Sequence, residues 1–149
     1  MNKILVYLDN CCYNRPYDDQ SQIKISLEAQ AKLHIQKLII DKEIDLAYSY
    51  MSRYENSQNP FKIRRDTISD FFKNAAVYIS EDNANEIQVK ATDIMKTGIK
   101  AKDAIHIACA IFCKSDIFLS TDIRLLKYKT DEITLMNPTE FLSRMEELL

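Results

Sequence analysis

GIKAKDAIHIACAIFCKSDIFLSTDIRLL, residues 98–126, holds one amphipathic period, one short apolar run and two aspartates that meet if the two segments are a helix and a parallel strand. Ala104, Ile107, Ala108 and Ile111 recur at the three, four and seven spacing of one apolar face, which predicts a helix over roughly residues 102–114 packed on a sheet. Asp103 opens it. Ile117, Phe118 and Leu119 are β-prone and continuously apolar, as a strand buried on both faces would be, and Ser120, Thr121 and Asp122 end the run. Asp122 then stands at a strand's carboxyl end, on the same rim as the start of the Asp103 helix, where open α/β sheets bind their ligands. Two carboxylates on one rim suggest a cation site. Each also has an ordinary role, since an aspartate in a first helical turn complements the macrodipole and one after a strand makes a turn or cap.

Further acids occupy matching places. Ile4–Leu8 is a continuous apolar run that reads as a central parallel strand, and Asp9 closes it. NCCYNRPYDD follows as a polar loop, with Asp18 and Asp19 as solvated loop residues; Asn10, Asn14 and Arg15 leave the same rim and either line a site or make turns and surface charge. From about Ser21 the pattern turns helical, with Leu27, Ala31, Ile35, Leu38 and Ile39 on the buried stripe, Glu28, Lys32 and Gln36 away from it, and His34 partly packed. Asp45–Tyr48 is a second strand, and Ser49 begins a helix that runs to about Gln58 before Pro60. Glu55 lies within that helix. Ser52 and Glu55 have the spacing of a capping box, but a start at Ser49 frees Glu55 to reach over the rim.

The remaining elements keep the alternation. Thr67–Ala75 reads as helix, Val77–Ile79 as strand, Ala84–Lys96 as helix, Ile133–Met136 as strand and TEFLSRMEELL as an amphipathic terminal helix using Phe141, Leu142, Met145 and Leu149. Gly98, the one glycine, falls where a helix end wants a left-handed residue. Strand and helix alternating throughout predict a parallel sheet covered on both faces.

Composition removes several classes. At 149 residues the chain suits one domain, 1–149, and 46% hydrophobic with 28% charged residues is a globular balance. A single glycine excludes the Gly-rich phosphate loops. A net charge of −2 supplies no global field for nucleic acid, so any such partner is met by local patches. The four cysteines, Cys11, Cys12, Cys109 and Cys113, form no CxxC and match no common zinc spacing; they predict reduced thiols, mostly acting as small buried apolar groups. No signal-like segment opens the chain and no apolar run approaches the ~20 residues of a membrane span, so the expected location is the cytoplasm.

YLDNCC (7–12), SRYENSQNP (52–60), the GIKAKDAIHIACA helix and FLSTDIRLL (118–126) together resemble the successive acidic motifs of PIN domains, in order and over nearly the whole chain, in the manner of the single-domain VapC-like toxin ribonucleases. The resemblance implies a three-layer α/β/α sandwich with a central, mainly parallel sheet. It also implies an endoribonuclease that hydrolyses phosphodiester bonds with Mg2+ or Mn2+, an antitoxin protein as partner, and a homodimer. By position it makes Asp9, Glu55, Asp103 and Asp122 the catalytic and metal-binding acids, sets Asn10 and Thr121 beside them, and matches Asn14 and Arg15 to a subgroup.

The residue types fit that chemistry in their own right. Clustered carboxylates repel one another unless a cation offsets them, and hard oxygen ligands select magnesium or manganese, whose waters serve phosphoryl chemistry. The helix dipole is expected to keep Asp103 ionised. His106 is either a donor to the acids or a packed histidine. RNA contacts are expected from Arg53, Arg64, Arg65, Arg124 and Lys127. Two other readings stay open: a catalytically silent PIN-type module that binds RNA or protein, and a receiver-like or flavodoxin-like signalling domain, which also carries acids at strand ends.

Overall fold

The computed structural model describes residues 3–14, 18 and 21–148; Arg15, Pro16, Asp19 and Leu149, on which expectations were placed, lie outside the described residues. β1 (Leu5–Leu8) leads into α1 (Asn10–Asn14) and α2 (Ile23–Ile40), and β2 (Asp45–Ser49) into α3 (Tyr50–Ser57) and α4 (Lys62–Phe72). β3 (Val77–Ile79) passes through a 3-10 turn at Glu81–Asn83 into α5 (Ala84–Met95) and α6 (Ala101–Phe112). β4 (Ile117–Leu119) precedes α7 (Ile123–Leu126), and β5 (Thr134–Met136) precedes α8 (Pro138–Leu148). None of the described helices is long and apolar enough to cross a membrane.

The strands pair in parallel in the order β3-β2-β1-β4-β5, with Val6 opposite Ile117 and Leu5 opposite Asp45. The chain steps outward from β1 to β3, then returns to the other side of β1 for β4. The crevice between β1 and β4 is therefore the switch point at which α/β sheets bind ligands. A receiver or flavodoxin sheet instead places its first strand between its second and third, so this topology is a different one.

Successive strand residues feed opposite layers. Val6, Leu8, Leu46, Ile117 and Leu119 pack with Ile35, Ile39, Phe72 and Phe141 from α2, α4 and α8. Tyr7, Ala47 and Phe118 pack with Ile87, Ile94, Ala104 and Ile107 from α5 and α6. The central strands β1 and β4 are buried on both faces, which is why they read as unbroken apolar runs, and the fold is the three-layer α/β/α sandwich expected.

Several local expectations are corrected. NCCYN is a helix rather than a loop: Cys12 N–H donates to the Asp9 carbonyl at 2.9 Å, and Cys12 and Tyr13 turn into the core, Tyr13 meeting Phe72 edge-on at 5.2 Å. On α2, Ala31, Ile35 and Ile39 are buried as expected, but Leu27 is 49% exposed while Glu28 and Lys32 are buried. The inward turn is possible because the Asn137 amide donates to the Glu28 carboxylate and the Lys32 stem lies against Tyr13 and Phe71, its ammonium 5.4 and 5.1 Å from their ring centres. His34 is exposed rather than partly packed. The start of α3 at Ser49 is as expected: Ser49 caps it in a capping box with Ser52, which leaves Glu55 free of that role. Gly98 takes the left-handed conformation expected of it, φ 100°.

Candidate functional site

Asp9 leaves β1 at the switch point, where its backbone N–H still donates to Leu119 of β4 at 2.9 Å. Its buried carboxylate is fixed on both oxygens. Oδ1 accepts from Asn10 N–H at 2.8 Å; Oδ2 accepts from the Ser120 hydroxyl at 2.9 Å and from the Cys11 thiol at 3.3 Å. Ser120 Oγ also accepts from Asp122 N–H at 3.0 Å, so one serine ties the ends of β1 and β4 together. Asp122 caps α7, its Oδ1 accepting from Arg124 N–H at 2.9 Å and Leu125 N–H at 3.4 Å. The ordinary role available to Asp122 is thus one it performs, and its second oxygen is the one left for the rim.

Glu55 reaches the rim from the second turn of α3, and the ring of His106, one turn beyond Asp103 on α6, receives it: Nε2 and Oε1 are hydrogen-bonded. His106 Nδ1 is 2.6 Å from the Tyr7 hydroxyl, which lies 2.7 Å from Ser49 Oγ and 3.3 Å from Ser52 Oγ. An ionised carboxylate only accepts, so Nε2–H donates to Glu55. Ser49 Oγ accepts from Met51 N–H and Ser52 Oγ from Ser49 N–H, leaving both hydroxyl protons for the Tyr7 oxygen and the Tyr7 proton for Nδ1. Burial holds the Tyr7 phenol well above its ordinary range, so it keeps that proton. A chain of donors thus runs from the α3 cap to Glu55, and His106 combines both expectations, being packed and a donor to the acids.

Asp9, Glu55, Asp103 and Asp122 line one cavity of about 440 Å³, with Asn10, Cys11, Asn14 and Asp18. The four acids were expected together, and the fold brings them together. Asp103 is half-buried in the first turn of α6, but the dipole does not govern it. Its proton affinity is raised to about 6 by burial first, then by the charges of Asp9, Asp122 and Glu55. Among the described residues, no group of three or more His, Cys, Asp or Glu stands in an arrangement that could by itself hold a metal ion.

Asn14 donates to the Asn10 carbonyl and side-chain oxygen at 3.2 and 3.3 Å and accepts from Asn59 at 3.2 Å, tying α1 to the loop after α3. Thr121 is buried, its N–H 3.4 Å from Cys11 Sγ. The expected basic contacts divide. Arg124 and Lys127 line a cleft of about 750 Å³ that Asp103 and Asp122 also border. Arg53 lies over Tyr78, Arg64 over Phe61, and Arg65 donates to the Asn59 carbonyl at 2.9 Å, so these hold their own neighbourhood. Sequence reasoning passed over Ser120, Tyr7, Ser49 and the cleft residues Lys100 and Lys129. The hydroxyl in LST after an apolar run was the available sign for Ser120; Tyr7 reads as one more apolar strand residue.

No protein-family model matches the chain, and no curated protein matches it. Among solved structures, it is similar to a chain in the crystal structure of VapBC2 from Rickettsia felis bound to a DNA fragment from their promoter, at a TM-score of 0.55 and 15% sequence identity, over 90% of this chain and 98% of that one. At that identity the likeness is one of fold, and it agrees with the PIN-like sandwich that the acidic motifs implied.

Proposed function

We propose that the chain is a metal-dependent endoribonuclease of the VapC-like PIN type, the toxin half of a toxin–antitoxin pair. One observation carries this reading: four carboxylates from four separate elements line a single cavity at the sheet's switch point. The fold likeness to a VapBC2 chain supports the toxin part and an antitoxin partner.

The donor set fits a hard divalent cation. Magnesium keeps most of its waters and is held by one or two carboxylates rather than a closed protein cage, so three converging ligands are not required. Asp9, Glu55, Asp103 and Asp122 would hold Mg2+ or Mn2+, which when bound polarises a phosphoryl oxygen and acidifies water. The chain's own contribution is preorganisation. Ser120 and Asn10 N–H orient Asp9, the His106 chain orients Glu55, and the α7 cap fixes one oxygen of Asp122. Held in place before substrate arrives, these groups need little rearrangement at the moment of reaction.

The capping duty of Asp122, which commits one of its oxygens to α7, favours, as the second reading, a silent module of the same fold that binds RNA without cutting it. Incubating a randomised RNA pool with wild type and Asp103→Asn, in manganese, in magnesium and in excess chelator, separates the two. Cutting that needs metal and disappears in the folded variant is the expected result. Intact RNA under saturating metal, with both proteins folded by circular dichroism, would leave the silent module. The toxin assignment predicts growth arrest on expression, relieved by the product of a neighbouring gene.

A further inference from the structure

The cleft beside the acids gathers exposed cations into one concavity. Lys100, Arg124, Lys127 and Lys129 are all exposed, line one cleft of about 750 Å³, and form no side-chain ion pair with a described residue, although Asp103 and Asp122 border the same cleft. Half-buried Ile99 and Tyr128 stand among them. In a chain of net charge −2, four unpaired cations in one concavity form a local field of opposite sign. Cations along a groove with an aromatic and an apolar face between them are the two elements that hold a single nucleic-acid strand, one set for its phosphates and the other for its bases.

We infer that this cleft, over α7 and the turn between α5 and α6, holds single-stranded RNA on one side of the bond to be cut. The inference rests on the nuclease reading for the position of that bond. Asp103 and Asp122 border both the cleft and the acidic cavity, so a strand leaving the acids enters the cleft directly. On the side away from the cleft, the described residues that line the acidic cavity, Asn10, Cys11, Asn14, Asp18 and Glu55, include no lysine or arginine. The footprint is therefore lopsided, with phosphates on the cleft side contributing most of the affinity.

The test is fluorescence anisotropy with a labelled single-stranded RNA of about 12 nucleotides, a length such grooves track, in chelator. The proteins are wild type, Lys127→Glu with Lys129→Glu, and a control of equal charge change on α2 and α4, Lys24→Glu with Lys62→Glu. The cleft pair is expected to lose affinity about tenfold or more and to flatten the log–log salt dependence by roughly 1.4, two phosphates at ~0.7 each; the control stays within about twofold. Equal losses in the two variants, or duplex bound more tightly than single strand, would overturn the cleft. Methylphosphonates on one side of the cut site should weaken binding more than on the other, and equal effects would overturn the lopsided footprint. Because binding is read without cleavage, RNA bound through the cleft and never cut in metal would end the nuclease reading alone. Metal-dependent cutting with an unchanged KM in the cleft pair would end the cleft alone.

Discussion

Glu55 and His106 stand 51 positions apart in the chain and share one hydrogen bond at the rim, the imidazole Nε2–H donating to the carboxylate. The ring is buried and already held on its other nitrogen by Tyr7, so the bond fixes the longest and most flexible of the four acids from behind. Its neighbour Asp9 is held by Ser120 in the same way. The site is thus built in two shells, and the outer one is easier to perturb without touching the acids.

Replacing His106 with Leu is expected to lower kcat by one to two orders of magnitude, the usual cost of losing a partner behind a ligand, with a smaller change in KM. His106→Gln, which keeps a donor, should recover part of the loss. Manganese affinity by calorimetry should follow the same order. Wild-type kcat in His106→Leu would show that Glu55 needs no support.

Tyr7→Phe removes the hydroxyl between His106 and the two serines and leaves Nδ1 without its donor. Leaving such a buried group unsatisfied costs about 1–3 kcal/mol, read as a lowered urea midpoint. An unchanged midpoint would mean that water takes the place of the phenol.

Asp103 should behave as a carboxylate that the metal-free fold would rather keep protonated. Its affinity for the proton is raised from 3.8 to about 6 by burial and by the neighbouring acids. Stability from this group is therefore greatest below about pH 4, where both states carry the proton, and falls as pH rises through 6. Asp103→Asn removes the repulsion; in chelator at pH 7.5 its Tm should rise by about 2–4 °C, the shift that roughly 1 kcal/mol gives a chain of this size. That advantage should fade on acidification toward pH 4. A lower Tm at neutral pH would contradict it, as would an advantage independent of pH.

Lys32 offers a pH effect of opposite direction in another place. Burial over Tyr13 and Phe71, without a hydrogen-bond partner among the described residues, lowers its amine from 10.5 to about 7. The unfolded chain then binds more protons between those values, so stability from this site is full above about 10.5 and is lost as pH falls to 7. The shift corresponds at most to roughly 4–5 kcal/mol. Lys32→Met should stabilise the fold at pH 7 by about 2 kcal/mol, with the gain shrinking toward pH 10; chemical denaturation at the two pH values measures it. Loss of stability at pH 7 would show that the amine has a partner worth keeping.

The order and kind of almost every element were legible in the chain itself. Unbroken apolar runs at Leu5–Leu8 and Ile117–Leu119 announce strands covered on both faces, and the period through Ala104, Ile107, Ala108 and Ile111 announces the helix over them. Acids closing two of those runs and opening that helix were enough to predict a shared rim, because strand ends and helix starts fall on one side of any parallel sheet. The sequence could not say that β4 would lie against β1, because strand order depends on which long-range contacts form together. That adjacency brings Ser120 to Asp9. Nor could local pattern show that α2 turns Glu28 and Lys32 inward, since Asn137 and the Tyr13 and Phe71 rings that receive them come from distant parts of the chain. Tyr7 is the clearest case: among apolar neighbours in sequence, it becomes a polar link only when Ser49, Ser52 and His106 arrive around its hydroxyl. Periodicity records which residues share a face; only tertiary structure decides what each polar atom on that face meets, because those partners lie tens of residues away and hydrogen bonds depend on tenths of an ångström.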